Sequence, residues 1–237
     1  MVTAIKENQT ARGLKGKVVC LVSGGIDSPV ATWLLARIGY VPVFVYFDNN
    51  PLSDETTKRR ALESMAKVMK HWPNETTHVY IIPHGEDLMD VIMKCPRKLT
   101  CILCRRIMLR VAERIANVEG ARAIVTGEIL GEHASQTLYN LASINSATTL
   151  PILRPLIGMN KVEVEKIARE IGTFDISTKP ASCCRAAPKQ PRTKARIEEV
   201  TSADSRLDIE SMIERALKNL KIETIGSSNA YLHSGVQ

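Results

Sequence analysis

The chain has 237 residues, 44% of them hydrophobic, enough for a substantial core in one main domain. Lysine and arginine outnumber aspartate and glutamate 32 to 25, a modest excess that suits a nucleic-acid partner and equally suits a solvated basic surface. No run approaches the roughly 18 apolar residues of a membrane helix. Residues 1–17, MVTAIKENQTARGLKGK, contain no apolar stretch of the secretory kind, so the expectation is a cytoplasmic chain with no membrane contact.

In chain order the apolar patterns alternate strand and helix, the signature of an α/β fold with a parallel sheet wrapped by crossovers. Val18 to Val22 is short, β-branched and uninterrupted, as in a strand buried on both faces. Ser28 and Pro29 suit the start of a helix that carries Val30, Leu34 and Ile38 at helical spacing and stops at Gly39. Residues 40–47, YVPVFVYF, predict a second strand, and Ser53 is the expected cap of a helix from Glu55 to Met69. Residues 77–83 predict a third strand, and Cys101 to Val118 a helix with Ile107, Met108, Val111, Ala112 and Ile115 on one face. Residues 121–127, ARAIVTG, predict the fourth strand, 160–172 a helix closed by Gly172, and 203–220 a final helix. Residues 173–197 hold three prolines and no periodicity, which reads as a long functional loop.

Between the first strand and its helix lies Ser23-Gly24-Gly25-Ile26-Asp27-Ser28. Glycines there let backbone N–H groups crowd round an anion at a positively polarised helix end. No lysine follows the glycines before the helix, so this is not the common P-loop, and a Gly- and Ser-rich hexamer is also compatible with an ordinary turn.

The stretch SGGIDSPVA resembles the pyrophosphate-binding signature of the PP-loop ATP pyrophosphatases, which split ATP into AMP and pyrophosphate while adenylating a substrate. That resemblance implies that Ser23, Gly24, Gly25 and Ser28 hold pyrophosphate and that Asp27 assists catalysis through Mg²⁺, a hard cation that favours oxygen ligands. CRRIMLRVAERIA, TGEILGEHASQTLYNL and LPILRPLIGMNKVEVEKIAREIGT narrow the match to the 4-thiouridine tRNA sulfurtransferases over residues 16 to about 197. The family likeness implies an adenine nucleotide alpha hydrolase-like fold. Phe47 and Asp48 are then expected near the adenosine, Thr126, Gly127, Glu128 and Gln136 in the nucleotide or substrate pocket, and Arg105 or Arg106, with Arg154, facing phosphates. Of the arginine pair Arg106 is the one assigned to ATP, and at least one of the two is expected to lie on a solvated helix face.

Six cysteines without a secretion signal point to reactive or metal-ligating thiols rather than disulfides. Cys20 and Cys95 read as small buried side chains. Cys101 and Cys104 form a C-x-x-C pair at a helix start, and Cys183 and Cys184 lie in the long loop, so the natural ligand set is Cys101, Cys104 and one loop cysteine. The family resemblance implies that Cys184 is the catalytic cysteine, with Cys183 standing in for it only as a metal ligand. It further implies an iron–sulfur cluster on Cys101, Cys104 and Cys184, with structural zinc as the alternative.

The organisation expected is an N-terminal extension over 1–15, the PP-loop domain over 16–197 and a helical extension over 198–237. Members of the family usually carry an RNA-binding THUMP module before this domain, and many add a rhodanese domain. Neither is expected here, so tRNA would be held by Lys189, Arg192, Lys194, Arg196 and the last helix, or by a separate partner, unless that charge run is only a solvated face. The expected activity is ATP-dependent replacement of a tRNA uridine carbonyl oxygen by sulfur, giving 4-thiouridine. Inorganic sulfide or a persulfide is the expected donor, and a homodimer is possible. The alternatives are nitrogen or small-molecule sulfur transfer by a zinc-stabilised enzyme, and a nucleotide-binding subunit of a thiolation complex.

Overall fold

A computed structural model describes residues 15–72, 76–181 and 184–226. Strands β1 (Lys17–Leu21), β2 (Val41–Asp48), β3 (Thr76–Pro83), β4 (Ile124–Val125), β5 (Ile152–Leu153) and β6 (Lys221–Gly226) form one sheet in the order β5-β4-β1-β2-β3-β6. The first five run parallel, and β6 pairs antiparallel with β3. The helices are α1 (Asp27–Arg37), α2 (Glu55–Met69), α3 (Gly85–Lys94), α4 (Thr100–Glu119), α5 (Leu138–Asn145), α6 (Lys161–Glu170), α7 (Phe174–Ser177), α8 (Ile197–Asp204) and α9 (Ile209–Lys218).

The continuous apolar strands are explained by burial on both faces. Val19, Val45, Phe47, Tyr80 and Ile82 turn to a core built with α3, α4, α5, α8 and α9. Their neighbours Val18, Cys20, Phe44, Tyr46, Val79 and Ile81 turn the other way, to a core built with α1, α2 and α6. Each fully buried Val, Ile or Phe contributes roughly 1.5–3 kcal/mol. A one-residue slip of a central strand would exchange its two buried faces, so the register is strongly specified.

The chain runs from β1 outward through β2 and β3, then returns to place β4 on the far side of β1. The strand order reverses between β1 and β4, and in open α/β sheets ligands bind beyond the strand ends at that point. The glycine turn leaves β1 there, and Gly127 leaves β4 there. A Cβ on Gly127 would sit 2.7 Å from the Ser28 nitrogen, so the two strand exits touch through glycine alone.

Several elements differ from the sequence expectations. Asp54, not Ser53, caps α2 by accepting from the Thr57 N–H at 3.0 Å. α4 runs one residue further at each end and stops at Gly120, whose φ is +64°. The predicted final helix is broken: α8 ends at Asp204, and Asp208 caps α9 by accepting from the Ser211 N–H at 3.2 Å. After α9 the chain adds the edge strand β6 rather than continuing as helix, so residues 198–226 are built into the sheet and core. α3, α5 and β5 were not expected from the periodicity. Among the described residues no helix is long and apolar enough to cross a membrane.

Candidate active site

The turn after β1 is held by its own hydroxyls. Ser28 Oγ accepts from the Ser23 N–H at 2.8 Å and lies 3.1 Å from Ser23 Oγ, while Gly25 N–H donates to Ser23 Oγ at 3.3 Å. Ser28 is therefore not the cap of α1. The N-cap is Ile26, whose side chain has no acceptor, so the first N–H groups of the helix keep no side-chain partner of that kind. An uncapped helix start behind two glycines suits an anion. Gly24 sits where a Cβ would come 2.7 Å from the Thr57 carbonyl oxygen at the start of α2.

Asp27 opens α1 and meets Lys161, the first residue of α6, at 2.7 Å; the same Lys161 Nζ lies 2.9 Å from Glu132. Burial works to lower the Lys161 pKa, but the two carboxylates outweigh it and hold the group above its ordinary range. The capping box of Asn160 and Glu163 fixes the start of α6 and so the root of Lys161.

At the β4 exit, Glu128 is 2% exposed and collects three donors: Thr126 Oγ1, Arg105 Nη1 and, at 2.9 Å, Arg154 Nε. Three donors compensate one buried carboxylate. Arg105 lines the cavity, and Arg154 stands behind Glu128 with its other nitrogen on Asn145.

α4 supplies the opposite wall. Cys101, Cys104, Arg105 and Met108 recur at i, i+3, i+4 and i+7, hence on one face, and all line the same cavity of about 550 Å³. Cys184 reaches that cavity from the long loop, whose backbone is tied to the β2 exit by Arg185 N–H donating to Leu52 O at 2.9 Å. Asn49 Nδ2 lies 3.9 Å from Cys184 Sγ. Burial raises the pKa of Cys101 and of Cys104 above the ordinary thiol value. The donor set of three thiols is soft and fits iron–sulfur or zinc better than a hard cation. Among the described residues no group of three or more His, Cys, Asp or Glu already converges as a metal site. Cys183 lies outside the described residues.

Ser23, Gly25, Asp27, Ser28, Thr126, Gly127, Glu128 and Gln136 also line this cavity, so the structure brings most of the expected residues together. Gln136 Oε1 and Asn49 Oδ1 are buried there without a hydrogen-bond partner among the described residues, as expected where a ligand supplies the donors. Arg154, expected to face phosphates, does not line the cavity, and three further expectations are not met as stated. Arg106 does not face phosphate: it is 3% exposed, and its guanidinium binds Asp204 at 2.7 Å, the Ser143 carbonyl and Ser146. The phase of α4 sends residue 106 into the core and residue 105 to the cavity. Phe47 is buried against the His84 ring rather than lining the cavity, and Asp48 lies behind the β2 exit, 3.6 Å from Lys58. The sequence reading missed Asn49, Lys161 and Glu132; the position of Lys161 straight after the Asn160 cap was the available signal.

The family described as "Thiamine biosynthesis protein (ThiI)" matches residues 13–209. The chain belongs to this family. It is 42% identical over 210 residues to a "Probable tRNA sulfurtransferase" of Methanosarcina mazei, covering 89% of this chain and 52% of the relative. A protein of the same description from Thermus thermophilus is 42% identical over 214 residues, covering 90% of this chain and 52% of the relative. Among solved structures, "Crystal structure of a 4-thiouridine synthetase - RNA complex with bound ATP" superposes with a TM-score of 0.85 at 38% identity, covering 89% of this chain and 55% of that one. The chain thus spans about half the length of the curated relatives it matches. The NMN synthetase of Francisella tularensis, at 15% identity and a TM-score of 0.55, shares the fold.

Proposed function

We propose that this ThiI-family chain is the catalytic part of a cytoplasmic tRNA sulfurtransferase that converts uridine to 4-thiouridine. The observation that carries the reading is the one cavity into which the glycine turn, Glu128 with Arg105, and three cysteines all open. A protein that only sensed nucleotide would have no use for thiols facing the phosphate site.

In this reading ATP lies across the β1 and β4 exits. Ser23, Gly24, Gly25 and Ser28 hold the β- and γ-phosphates, and Thr126, Gly127 and Gln136 position the nucleotide. Asp27 is the carboxylate suited to Mg²⁺, and Lys161 and Arg105 offset phosphate charge. The uridine O4 attacks the α-phosphorus and the bond to pyrophosphate breaks, so a poor leaving group becomes AMP. A sulfide sulfur then attacks C4, AMP departs with its oxygen, and one proton is released from the sulfur. Cys101, Cys104 and Cys184 would hold an iron–sulfur cluster, which when bound offers a place to keep an external sulfide beside the activated carbon. Zinc on the same thiolates would supply structure alone.

The test is the chain incubated with ATP, Mg²⁺, sulfide and an unmodified tRNA transcript, read by mass spectrometry of the nucleosides and by pyrophosphate release. 4-Thiouridine together with stoichiometric pyrophosphate is expected. Pyrophosphate release with no sulfur in the RNA, under anaerobic conditions and after iron and sulfide reconstitution, would overturn the thiolation reading.

A further inference from the structure

We infer that His84 is a positioning residue that fixes the Cys104 sulfur in the cavity wall, and that Asp87 and Arg215 fix His84 in turn. The inference rests on the reading of Cys104 as a working thiol. His84 sits at the corner between β3 and α3, outside the cavity and behind Cys104.

The corner itself is tightly placed. His84 N–H donates to the Asp48 carbonyl at 2.8 Å, and a Cβ on Gly85 would lie 1.8 Å from the Asn50 carbonyl oxygen, so only glycine lets α3 start there. The His84 side chain is wholly buried, with its ring edge-on to Phe47 at 5.4 Å between centroids. Nδ1 lies 3.4 Å from Asp87 Oδ2, and Nε2 lies 3.4 Å from Cys104 Sγ. Asp87 is itself 1% exposed and takes Arg215 of α9 on its other oxygen.

An ionised carboxylate only accepts, so Asp87 fixes the proton on Nδ1 and leaves Nε2 as an acceptor for the Cys104 S–H. Met108 Sδ, 3.8 Å away, is a second acceptor within reach of the same S–H, but a thioether accepts weakly and the ring nitrogen is the stronger partner that aims the sulfur. Burying an imidazole, a carboxylate and part of a guanidinium costs desolvation that an apolar trio of the same volume would not. The polar line runs from the last helix to one cavity thiol, and orienting groups of this kind govern how well a ligand atom is held. Asn49 beside Cys184 is its counterpart at the neighbouring strand exit.

The decisive measurement is the infrared S–H stretching spectrum of the reduced, metal-free full chain, with Cys104→Ser identifying the Cys104 band. That band should lie below the unbonded thiols, rise to their position in His84→Ala, and return part-way in His84→Gln, whose amide reaches the same sulfur. A Cys104 band that stays in place in folded His84→Ala overturns the inference. If His84→Ala does not fold, Asp87→Asn carries the test: it keeps the shape but frees the ring tautomer, and an unmoved band again overturns the inference. After anaerobic reconstitution with iron and sulfide, the iron content of the parent chain is read as the separate test of the proposed cluster. A chain that shows the infrared shift but takes up no iron keeps this inference and sinks the proposed cluster. A chain that takes up iron with no shift does the reverse.

Discussion

Arg105 and Arg106 are adjacent on α4 and point to different surroundings: Arg105 binds Glu128 in the cavity wall, and Arg106 binds Asp204 inside the core. At about 100° per residue, Cys101, Cys104, Arg105 and Met108 cluster on one side of the helix, whereas residue 106 falls nearly opposite the centre of that cluster.

This division predicts opposite phenotypes. Arg106→Ala strips Asp204 of its most buried partner and should cost about 3–5 kcal/mol, the usual cost of breaking a buried pair from one side. ATP affinity of the folded fraction should not change. Arg105→Ala leaves Glu128 with Arg154 and Thr126, so its stability cost should be nearer 1 kcal/mol. Pyrophosphate release should nevertheless fall at least about tenfold if Arg105 faces phosphate. Denaturant melts and a pyrophosphate assay on both variants separate the roles, and a stable, inactive Arg106→Ala would reverse the assignment.

The Asp27 and Lys161 pair leads to a second expectation. Both groups are partly exposed, so the pair contributes only about 0–1 kcal/mol to stability. Asp27→Ala should therefore melt within a few degrees of the parent yet lose ATP-to-pyrophosphate exchange by about a hundredfold or more. Lys161→Met should behave likewise. Parent-rate exchange by a folded Asp27→Ala chain would remove this turn from the nucleotide site.

The fold was legible where burial writes continuously into sequence. The two-faced strands β1 to β3 and the long apolar stripe of α4 are such places. It was illegible where pairing, not periodicity, makes the element: β5 has two residues, and β6 carries Lys221 and Glu223 yet is held by main-chain bonds to β3. The glycine turn and the cysteine pair were found because their chemistry is local. Arg106 was misplaced because a motif gives residue types, whereas only the helix phase gives direction; Cys101, Cys104, Arg105 and Met108 already shared a face in the sequence. Asn49 and His84 carry no local signature, since their importance comes from strand ends meeting a distant loop and helix.

A third prediction concerns acid stability at the other end of the sheet. Glu119 closes α4 with a 5% exposed carboxylate that accepts from Lys17 at 2.7 Å, His78 at 2.6 Å and Tyr80 at 2.7 Å. Burial raises its pKa, but these three donors outweigh burial and bring it down to about 2. A depressed carboxylate pKa stabilises the fold above the unfolded value, roughly 4.3, and that stabilisation is lost as pH falls toward the folded value. Lys17 and His78 are about half exposed, so solvent screening leaves on the order of 1–2 kcal/mol. Glu119→Gln should flatten the dependence of stability on pH between about 4.3 and about 2 while leaving pyrophosphate release at neutral pH intact. An unchanged slope in urea melts across that range would show that the cluster does not stabilise the carboxylate.

The last prediction separates the cysteines by position. Cys101, Cys104 and Cys184 line the cavity, whereas Cys20 and Cys95 are buried elsewhere, Cys95 donating to the Ala203 carbonyl at 3.3 Å. Replacing sulfur by oxygen removes a soft ligand and a nucleophile while keeping nearly the same shape, so Ser variants test chemistry rather than packing. Cys184→Ser should abolish thiolation of tRNA while pyrophosphate release persists, because activation of the uridine oxygen precedes sulfur attack. Cys101→Ser and Cys104→Ser should lose thiolation and, after anaerobic reconstitution, most of the iron and acid-labile sulfide. Cys20→Ser and Cys95→Ser should keep both activities and differ only in melting temperature. Cys183→Ser should be milder than Cys184→Ser. Full thiolation by a Cys101→Ser, Cys104→Ser double variant would return the α4 pair to a structural role and leave Cys184 as the one thiol the reaction needs in this cavity. Stoichiometric zinc in place of iron, with thiolation from inorganic sulfide intact, would keep the three thiols as a metal site and show that free sulfide reaches the activated carbon without a cluster.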